Sequence, residues 1–327
     1  MAVTTKDIAV ACHVSRSTVT RALNNKDRIS PETKELVISK AKELGYEPDL
    51  YARGMVKGTT MTIGVVLCDL KNMYFPSVID AMGPVAREYG YILNIMLHNN
   101  NKEMEQSVIK RLMGHRIDGL ILDPACSNKE DYKFLEKYSV PTVIIGGKEI
   151  DGFSFVGNDE YNSAGKAVNY IVSKGYDTVC FVFPESENNN DAFGGHHERR
   201  RGVRDKAAEL GVLFQNIQTA DYATTALNIV RNSDRKTAFL CSGDIYAGQI
   251  MALLGQNGFI AGEDYGIMGY DHLDLMNIFP RKLVTIENHK EMVGTEAVRL
   301  ILELTKKKPK KIYKEIVPCE IINGNTV

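Results

Sequence analysis

Hydrophobic positions along the chain follow two different rhythms. Within residues 5–46, apolar side chains recur at helical spacing in three short segments. From Thr62 onward, apolar runs typical of buried strands alternate with helical segments in two successive series. The predicted strands span 63–67, 91–97, 119–123, 141–146, 177–183, 236–242 and 266–270, with helices at 76–89, 103–114 and 129–137. This alternation predicts two doubly wound parallel-sheet lobes of the α/β class, which bind ligands where the carboxyl ends of their strands meet.

The three N-terminal segments each begin at a residue suited to cap a helix. These residues are Thr4 with Asp7, Ser15, and Ser30 followed by Pro31. The second helix is expected to run to about Asn24 after a tight turn at His13–Val14. The positions predicted to face a common core are Ile8, Ala9, Ala11, Val19, Leu23, Val37, Ile38, Ala41 and Leu44. A helix, a tight turn and a capped helix predict an all-α helix-turn-helix head, whose second helix enters the major groove of DNA.

The outer side of that second helix carries side chains that can read DNA. Arg16, Ser17 and Thr20 lie away from Val19 and Leu23, where they can reach base edges. Phosphates or partners within the head are expected for Thr18, Arg21 and Asn24. The alternative from pattern alone is a solvated helix in a plain three-helix bundle.

Charge separates this head from the rest of the chain. The 327 residues carry a net charge of −1, but residues 1–60 hold ten Lys/Arg against seven Asp/Glu, so the remainder is net acidic. A hydrophobic content of 44% excludes overall disorder. The six cysteines lack CxxC or zinc spacing, and no signal peptide or membrane span is evident. These features indicate a soluble, cytoplasmic protein of a reducing compartment.

The head resembles the N-terminal module of the lactose-repressor (LacI/GalR) family of bacterial transcription regulators. The matching residues are Asp7–Ile8–Ala9, Val14–Ser15, Thr18–Val19, Arg21, Asn24, Gly45–Tyr46, Pro48, Ala52 and Arg53. One departure is His13, which stands at the family's turn glycine; if this residue is left-handed, we expect some strain and not a broken turn. By this resemblance, residues 50–57 form a hinge helix that orders on DNA, and Met55 is the wedge inserted into the minor groove. The DNA-binding candidates are then Thr4, Ser15, Arg16, Ser17, Thr18, Thr20, Arg21, Asn24, Tyr46 and Met55.

The resemblance continues more loosely over nearly all of the remaining chain. Its landmarks are Asn72–Phe75, Asp159, Arg199 with Gly202, Asp221–Tyr222, Gly243–Asp244, Gly269–Asp271 and Pro280 to Ile286. They imply a head at 1–47, a hinge at 48–60 and a periplasmic-binding-protein-like core of type I at 61–327. In that architecture the chain crosses between lobes near 160, 288 and 317. The N-lobe would then hold about 61–159 and 288–316, and the C-lobe about 160–287 and 317–327.

The resemblance also implies a polyhydroxylated effector in the cleft, because aromatic faces cover sugar rings while charged groups bind hydroxyls. Stacking is assigned by similarity to Tyr74, Phe75 and Tyr222, and polar contacts to Asp159, Arg199, Asp271 and, more weakly, Asn288. Each aromatic could instead belong to a core, and Asp244 could be a helix cap.

Two departures bear on this site. Gly243 stands where the family commonly has Asn, which puts the usual sugar effectors in doubt. The pair His196–His197 could suggest a metal, but adjacent helical residues diverge by about 100°, so neither a metal nor a cofactor is expected. The lysine-rich run 306–311 is expected to be a solvated loop.

The function these features favour is a homodimeric repressor that reads palindromic operator DNA and whose operator affinity is controlled by a small molecule in the cleft between the lobes, a sugar or sugar derivative. A solute receptor is the alternative class, although it should carry a signal peptide and lack the head. An enzyme is disfavoured because no GxSxG, GxxxxGK[ST], HExxH or GxGxxG motif is found. A regulator that has lost effector control remains open because of Gly243.

Overall fold

The computed structural model describes residues 3–47, 59–71, 73–126, 128–147, 149–183, 194–306 and 311–327. The chain divides into two compact units, Met1–Thr60 and Met61–Val327. The predicted hinge helix with Met55 and most of the lysine-rich run lie outside the described residues.

Three helices form the head. They are α1 Thr5–Ala11, α2 Arg16–Leu23 and α3 Pro31–Glu43. Asp7 Oδ2 accepts hydrogen bonds from the backbone N and from Oγ1 of Thr4, at 2.8 and 2.7 Å. Ser15 and Ser30 each accept from the amide three residues further on, at 3.1 and 3.3 Å. The predicted helix starts are therefore confirmed, and each cap satisfies amides that a helix start leaves unpaired.

The core of the head takes one fully buried residue from each helix: Ile8, Val19 and Val37. Ala9 and Ala41 are also buried, and Leu23 and Leu44 pack against this core while remaining partly exposed.

Two predicted core positions in the head are wrong. Ala11 is exposed, and the buried residue at that end of α1 is Cys12. Ile38 is 45% exposed because it follows the buried Val37 by one residue, a rotation of about 100° that carries it off the core face.

The turn between α1 and α2 contains a left-handed residue, which is the condition under which strain was expected at His13. His13 has φ +52°, and its neighbour Val14 donates its backbone N–H to the carbonyl of Ala9 at 3.0 Å. The side chain at position 13 is therefore held in a region that glycine enters without strain.

The first lobe of the larger unit is built from two separate parts of the chain. Its elements are β1 Thr62–Leu67, α4 Tyr74–Glu88, β2 Ile92–Leu97, α5 Lys102–Gly114, β3 Gly119–Leu122, a 3₁₀ helix Lys129–Tyr138, β4 Thr142–Gly146, β5 Ser154–Asn158, α10 Lys290–Lys306 and β11 Lys314–Val317. The strands form a parallel sheet in the order β11-β5-β4-β3-β1-β2.

The second lobe repeats this plan. Its elements are α6 Glu160–Ser173, β6 Thr178–Val182, α7 Gly195–Leu210, β7 Leu213–Ile217, α8 Tyr222–Asn232, β8 Thr237–Cys241, α9 Asp244–Gln256, β9 Gly266–Tyr270, a 3₁₀ helix Asp274–Ile278, β10 Val284–Glu287 and β12 Glu320–Ile322. The strand order is β12-β10-β9-β8-β6-β7, and only the edge strand β12 runs antiparallel to its neighbour.

The α/β fold class with two doubly wound lobes is thus confirmed, and all seven predicted strands are present. The segment predicted as a helix at 129–137 is a 3₁₀ helix. Among the described residues, no helix has both the length and the apolarity needed to cross a membrane.

The chain passes between the lobes three times: from β5 to α6, from β10 to α10, and from β11 to β12. All three passages lie at the carboxyl ends of β5, β10 and β11. These ends border the space where a doubly wound fold places its ligands.

Candidate functional site

A buried ion pair occupies the second lobe's side of this space. Arg199, on α7, donates from Nε to Glu160 Oε2 at 2.6 Å and from Nη2 to Glu160 Oε1 at 2.9 Å. Its Nη1 donates to the carbonyl of Ser242 at 2.6 Å. Both charged side chains are about 95% buried, so this bidentate pair is held away from water.

A second carboxylate lies beside the pair. Asp271 Oδ1 is 3.8 Å from Arg199 Nη2 and accepts a hydrogen bond from Asn288 Nδ2 at 2.8 Å. Asp271 follows β9 with φ +94°, a strained backbone for a residue with a side chain. The guanidinium also stacks on the ring of Tyr270, 3.8 Å from its centroid. The sequence-predicted residues Arg199, Asp271 and Asn288 are therefore brought together.

Asp159 is placed differently from its neighbour Glu160. Its Oδ1 accepts from the backbone N of Asn162 at 3.1 Å, and the residue is exposed at the start of α6. The carboxylate that pairs with Arg199 is Glu160, which the sequence analysis missed. The position directly after β5 is Asp159, so the local sequence gives no signal that selects Glu160.

The predicted aromatics are split between the site and the cores. Phe75 is buried in the first lobe's core and meets Tyr74 edge to face, with centroids 5.0 Å apart. Burial and the nearby Glu160 and Asp271 raise the pKa of Tyr74 well above its ordinary value, so this first-lobe side chain lies within electrostatic reach of the second lobe's acids.

In the second lobe, Tyr222 is buried and contacts Tyr246 edge to face at 5.7 Å. Burial, Tyr222 and Asp271 raise the pKa of Tyr246 to about 12. Tyr246 is half-buried, and it is a site residue that the sequence analysis did not find.

The two lobes touch next to the ion pair. A Cβ atom added to Gly147, which follows β4, would collide with the backbone of Gly195 at the start of α7. A Cβ atom on Gly195 would in turn lie 3.3 Å from Glu160 Oε1. A larger residue at position 147 would therefore push the lobes apart, whereas one at position 195 would only crowd Glu160 and Gly147.

The two histidines do not form a metal site with described residues. Burial and the adjacent Arg199 lower the pKa of His196 to about 3, so its ring is neutral. Its Nδ1 is buried without a hydrogen-bond partner, and the ring packs against Phe183 with centroids 5.1 Å apart. Within the part of the chain that the structure describes, no three His, Cys, Asp or Glu side chains are grouped to hold an ion.

Position 243 forms the N-cap of α9, and Asp244 is not the cap. The Asp244 carboxylate is fully buried and accepts from Thr285 Oγ1 at 2.6 Å and from the backbone N of Leu273 at 2.7 Å. These bonds tie α9 to β10 and to the loop after β9. Asp244 therefore supports the site indirectly, by holding α9 against β10 and the loop after β9.

The face of α2 predicted to read DNA is exposed. Arg16, Ser17, Thr20 and Arg21 all face solvent, and neither guanidinium has an ion-pair partner among the described residues. Thr20 Oγ1 donates to the carbonyl of Arg16 at 2.9 Å.

The other candidates in the head have local contacts. Ser15 Oγ lies 2.7 Å from Ser17 Oγ and 2.9 Å from Thr18 Oγ1, and Asn24 Nδ2 donates to the carbonyl of Thr20 at 2.7 Å. Tyr46 packs against the core of the head while remaining partly exposed.

A helix-turn-helix head followed by a two-lobed, periplasmic-binding-protein-like core defines one class of bacterial DNA-binding regulator. Comparison with known families agrees: residues 4–49 match the model of bacterial regulatory proteins of the lacI family, and residues 168–327 match that of the periplasmic binding protein-like domain. The chain belongs to the LacI family of transcriptional regulators.

Similar proteins cover almost the entire chain. The HTH-type transcriptional repressor PurR of Vibrio campbellii is 29% identical over 336 residues, covering 99% of this chain and 98% of PurR. The lac repressor dimer bound to operator and the anti-inducer ONPF superposes with a TM-score of 0.86 at 19% identity, over 100% and 99% of the two chains. The CelR–cellobiose complex gives a TM-score of 0.69 at 19% identity, over 99% and 100%.

Proposed function

We propose that this protein is a homodimeric repressor whose affinity for a palindromic operator is set by a small molecule held between the lobes. The observation that carries the proposal is the buried Arg199–Glu160–Asp271 cluster, which lies where the lobes touch in a chain that also bears an exposed recognition helix. Buried charges in a cleft are costly to maintain, and a ligand gives them a role.

The DNA-binding role is assigned to the head and hinge. Base contacts are proposed for Arg16, Ser17 and Thr20. Phosphate contacts or positioning are proposed for Thr4, Ser15, Thr18, Arg21, Asn24 and Tyr46, and minor-groove insertion for Met55. The exposure of Arg16 and Arg21 supports this division, because a free guanidinium can pair with guanine or phosphate.

The effector is proposed to be a sugar or sugar derivative. CelR, which shares the fold, was solved with cellobiose. Polar contacts are assigned to Arg199, Asp271, Asn288 and Asp159, joined by Glu160, and ring contacts to Tyr74, Phe75 and Tyr222, joined by Tyr246. A ligand that touches both lobes would favour one of their two relative arrangements. The affinity of the protein for DNA would then change by the difference between the ligand's affinities for the two arrangements.

Self-association is supported by apolar side chains on the surface of the larger unit. Ile278 is 71% exposed and Leu275 is 48% exposed, both on one 3₁₀ helix, while Ile92 on the edge strand β2 is 59% exposed. The exposure of several large aliphatic side chains favours burial against a second copy. The lac repressor, which shares the fold, is a dimer on its operator.

No catalytic activity and a cytoplasmic location are part of the same proposal. PurR, the relative compared above, is a transcriptional repressor, and operator DNA in a bacterium lies in the cytoplasm. The domain limits proposed are 1–47 for the head, 48–60 for the hinge and 61–327 for the core, and the division into compact units at residue 60 supports them.

Selection from random double-stranded DNA by the full-length protein tests the proposal. We expect enrichment of a palindrome, loss of retention when residues 1–60 are deleted, and a change in retention by a ligand that also raises the melting temperature. Equal retention of all sequences would refute it.

One observation favours a second candidate, a regulator without effector control. The cation in the cleft is already engaged by its own chain, since Nε, Nη1 and Nη2 of Arg199 all donate to Glu160 or Ser242. Sequence-specific binding that no small molecule alters would favour this candidate.

A further inference from the structure

The buried charges between the lobes do not balance. Arg199 is paired through two hydrogen bonds with Glu160, which leaves Asp271 as a second buried carboxylate beside a guanidinium that is already neutralised. Lys290 is buried too, but its Nζ donates to the backbone carbonyl of Asp271 at 2.8 Å and lies 3.9 Å from Glu287 Oε1, so it also faces a third carboxylate. With these side chains ionised, the two cations Arg199 and Lys290 stand against the three carboxylates Glu160, Asp271 and Glu287.

The hydrogen-bonding capacity around Asp271 is also unbalanced, towards acceptors. Asn288 is fully buried and its Nδ2 donates to Asp271 Oδ1, yet its own Oδ1 has no partner among the described residues. The hydroxyl of Ser242, whose carbonyl accepts from Arg199, is also buried without a described partner, and it can either donate to a ligand or accept from one. Buried acceptors without donors are costly, and a ligand that brings N–H groups would satisfy them.

Gly243 keeps this region open. A Cβ atom placed at position 243 would lie 3.6 Å from Asp271 Oδ2 and 3.4 Å from the ring of Tyr246. No described residue donates a hydrogen bond to Asp271 Oδ2. A longer side chain at position 243 would occupy the space beside this oxygen, so the glycine leaves room for a ligand group between a carboxylate and an aromatic edge.

We propose that the effector carries a protonated amine, which binds Asp271 Oδ2 beside Gly243 and Tyr246. This rests on the proposed function and specifies its ligand: an amino sugar or a similar amine-bearing polyol, in place of a neutral or phosphorylated sugar. An ammonium group supplies three donors and the missing positive charge, and it suits the neighbouring aromatic ring. A phosphate would add negative charge next to Glu160 and Asp271 and would be repelled.

Burial also holds the pKa of Asp271 above its ordinary value. An amine that forms an ion pair with this carboxylate lowers that pKa, so binding should release a proton wherever Asp271 is protonated in the free protein.

Thermal unfolding of the full-length protein with matched ligands tests the proposal. The probes are glucosamine, galactosamine and mannosamine, each compared at mildly acidic pH with its parent hexose and with its N-acetyl form, which keeps the nitrogen but removes the charge. Glucose 6-phosphate and guanosine represent an anion and a neutral N–H donor. We expect at least one amine to raise the melting temperature by about 2 °C or more above its parent and N-acetyl forms.

The Asp271→Asn variant should lose this preference, whereas Asp234→Asn should keep it. Asp234 is an exposed acid in the loop before β8, at the opposite end of the sheet from the site, so its variant controls for the change in net charge. The ligand comparison in the wild-type protein needs no variant, and it decides the matter if Asp271→Asn does not fold.

Stabilisation by neutral, N-acetylated, phosphorylated or nucleoside probes that equals that of the amines overturns the proposal, and so does the absence of any stabilisation by an amine. The proposed function fails by a separate result, namely the lack of sequence preference in DNA selection.

Discussion

The side-chain amide of Asn158 donates a hydrogen bond to the backbone carbonyl of Asn288 at 2.9 Å. The same nitrogen donates to the carbonyl of Val317 at 3.0 Å. Asn158 ends β5, Asn288 follows β10 and Val317 ends β11, so one buried side chain joins all three passages between the lobes. Any relative movement of the lobes has to turn about these bonds.

Replacing Asn158 by Ala should destabilise the core by about 1–3 kcal/mol, because two buried carbonyls lose their donor. The free energy of unfolding in urea measures this cost. Asn232→Ala is the matched control, since Asn232 Nδ2 also donates to a carbonyl, that of Asn228 at 2.8 Å, but this hydrogen bond is exposed to solvent. Equal costs for the two variants would contradict the role given to Asn158.

The free energy of unfolding should fall further when the cation of the Arg199–Glu160 pair is removed than when its anion is removed. Arg199→Met leaves Glu160 and Asp271 buried without a counter-charge, and we expect it to cost about 3–5 kcal/mol in urea unfolding. Glu160→Gln keeps the shape and leaves Asp271 beside the guanidinium, so its cost should be smaller.

Removing both members of the pair should recover part of the loss. The double variant Arg199→Met with Glu160→Leu no longer buries an unpaired Glu160 carboxylate, so it should be more stable than Arg199→Met alone. A double variant that is no more stable than Arg199→Met alone would contradict this view of the pair.

The sequence predicted seven strands, most of them short, continuous apolar runs. It did not predict β7, an edge strand whose residues Leu213, Gln215 and Asn216 are exposed, so that no apolar run marks it. It also did not predict β5 and β10, which are buried inside their sheets but whose short apolar segments are interrupted by polar residues and glycine. Pattern alone therefore finds a strand by the continuity of its apolar run, and not by its position in the sheet.

The site was predicted residue by residue through family resemblance. The different roles of neighbouring residues became visible only in the structure. Asp159 and Glu160 are adjacent acids, yet one is an exposed cap and the other is a buried partner of Arg199. The choice depends on the direction in which α6 leaves the sheet, which no local pattern encodes. Asn158, one residue earlier, shows no sign in the sequence of its contacts across 130 and 159 residues.

The left-handed His13 offers a stabilising change. Because its φ is +52°, His13→Gly should relieve backbone strain and stabilise the head by about 0.5–1 kcal/mol. Hydrogen exchange of amides in α1 and α2 measures this. Lys42→Gly, at an exposed helical position in α3, is the opposite control and should cost about 1 kcal/mol. Faster exchange in His13→Gly would show that the histidine is not strained.

Arg16 and Arg21 should affect DNA binding in different ways. Arg16→Ala should relax the preference at one base pair per half-site by about 1–3 kcal/mol, since a bidentate contact to guanine is lost. Arg21→Ala should weaken binding to all sequences and lower its salt dependence. Competition binding with single-base operator variants distinguishes the two patterns. A uniform loss for Arg16→Ala would remove it from the base-reading set.

Asp244 should make the stability of the core depend on pH. Burial raises its pKa from 3.8 to about 8, so between these values the folded protein holds a proton that the unfolded chain releases. Folded stability from this group is therefore present at low pH and declines as pH rises towards 8, by at most about 1.4 kcal/mol per pH unit.

Asp244→Asn lacks this titration, while its amide can still donate to Thr285 and accept from Leu273. The variant should gain stability relative to wild type as pH rises from about 5 to about 8, measured by urea unfolding. Glu105 and Asp123, whose pKa values burial raises to about 7, titrate in both proteins and cancel in the difference. Asp234→Asn controls for net charge, and a stability difference between Asp244→Asn and wild type that stays constant with pH would show that Asp244 is ionised throughout.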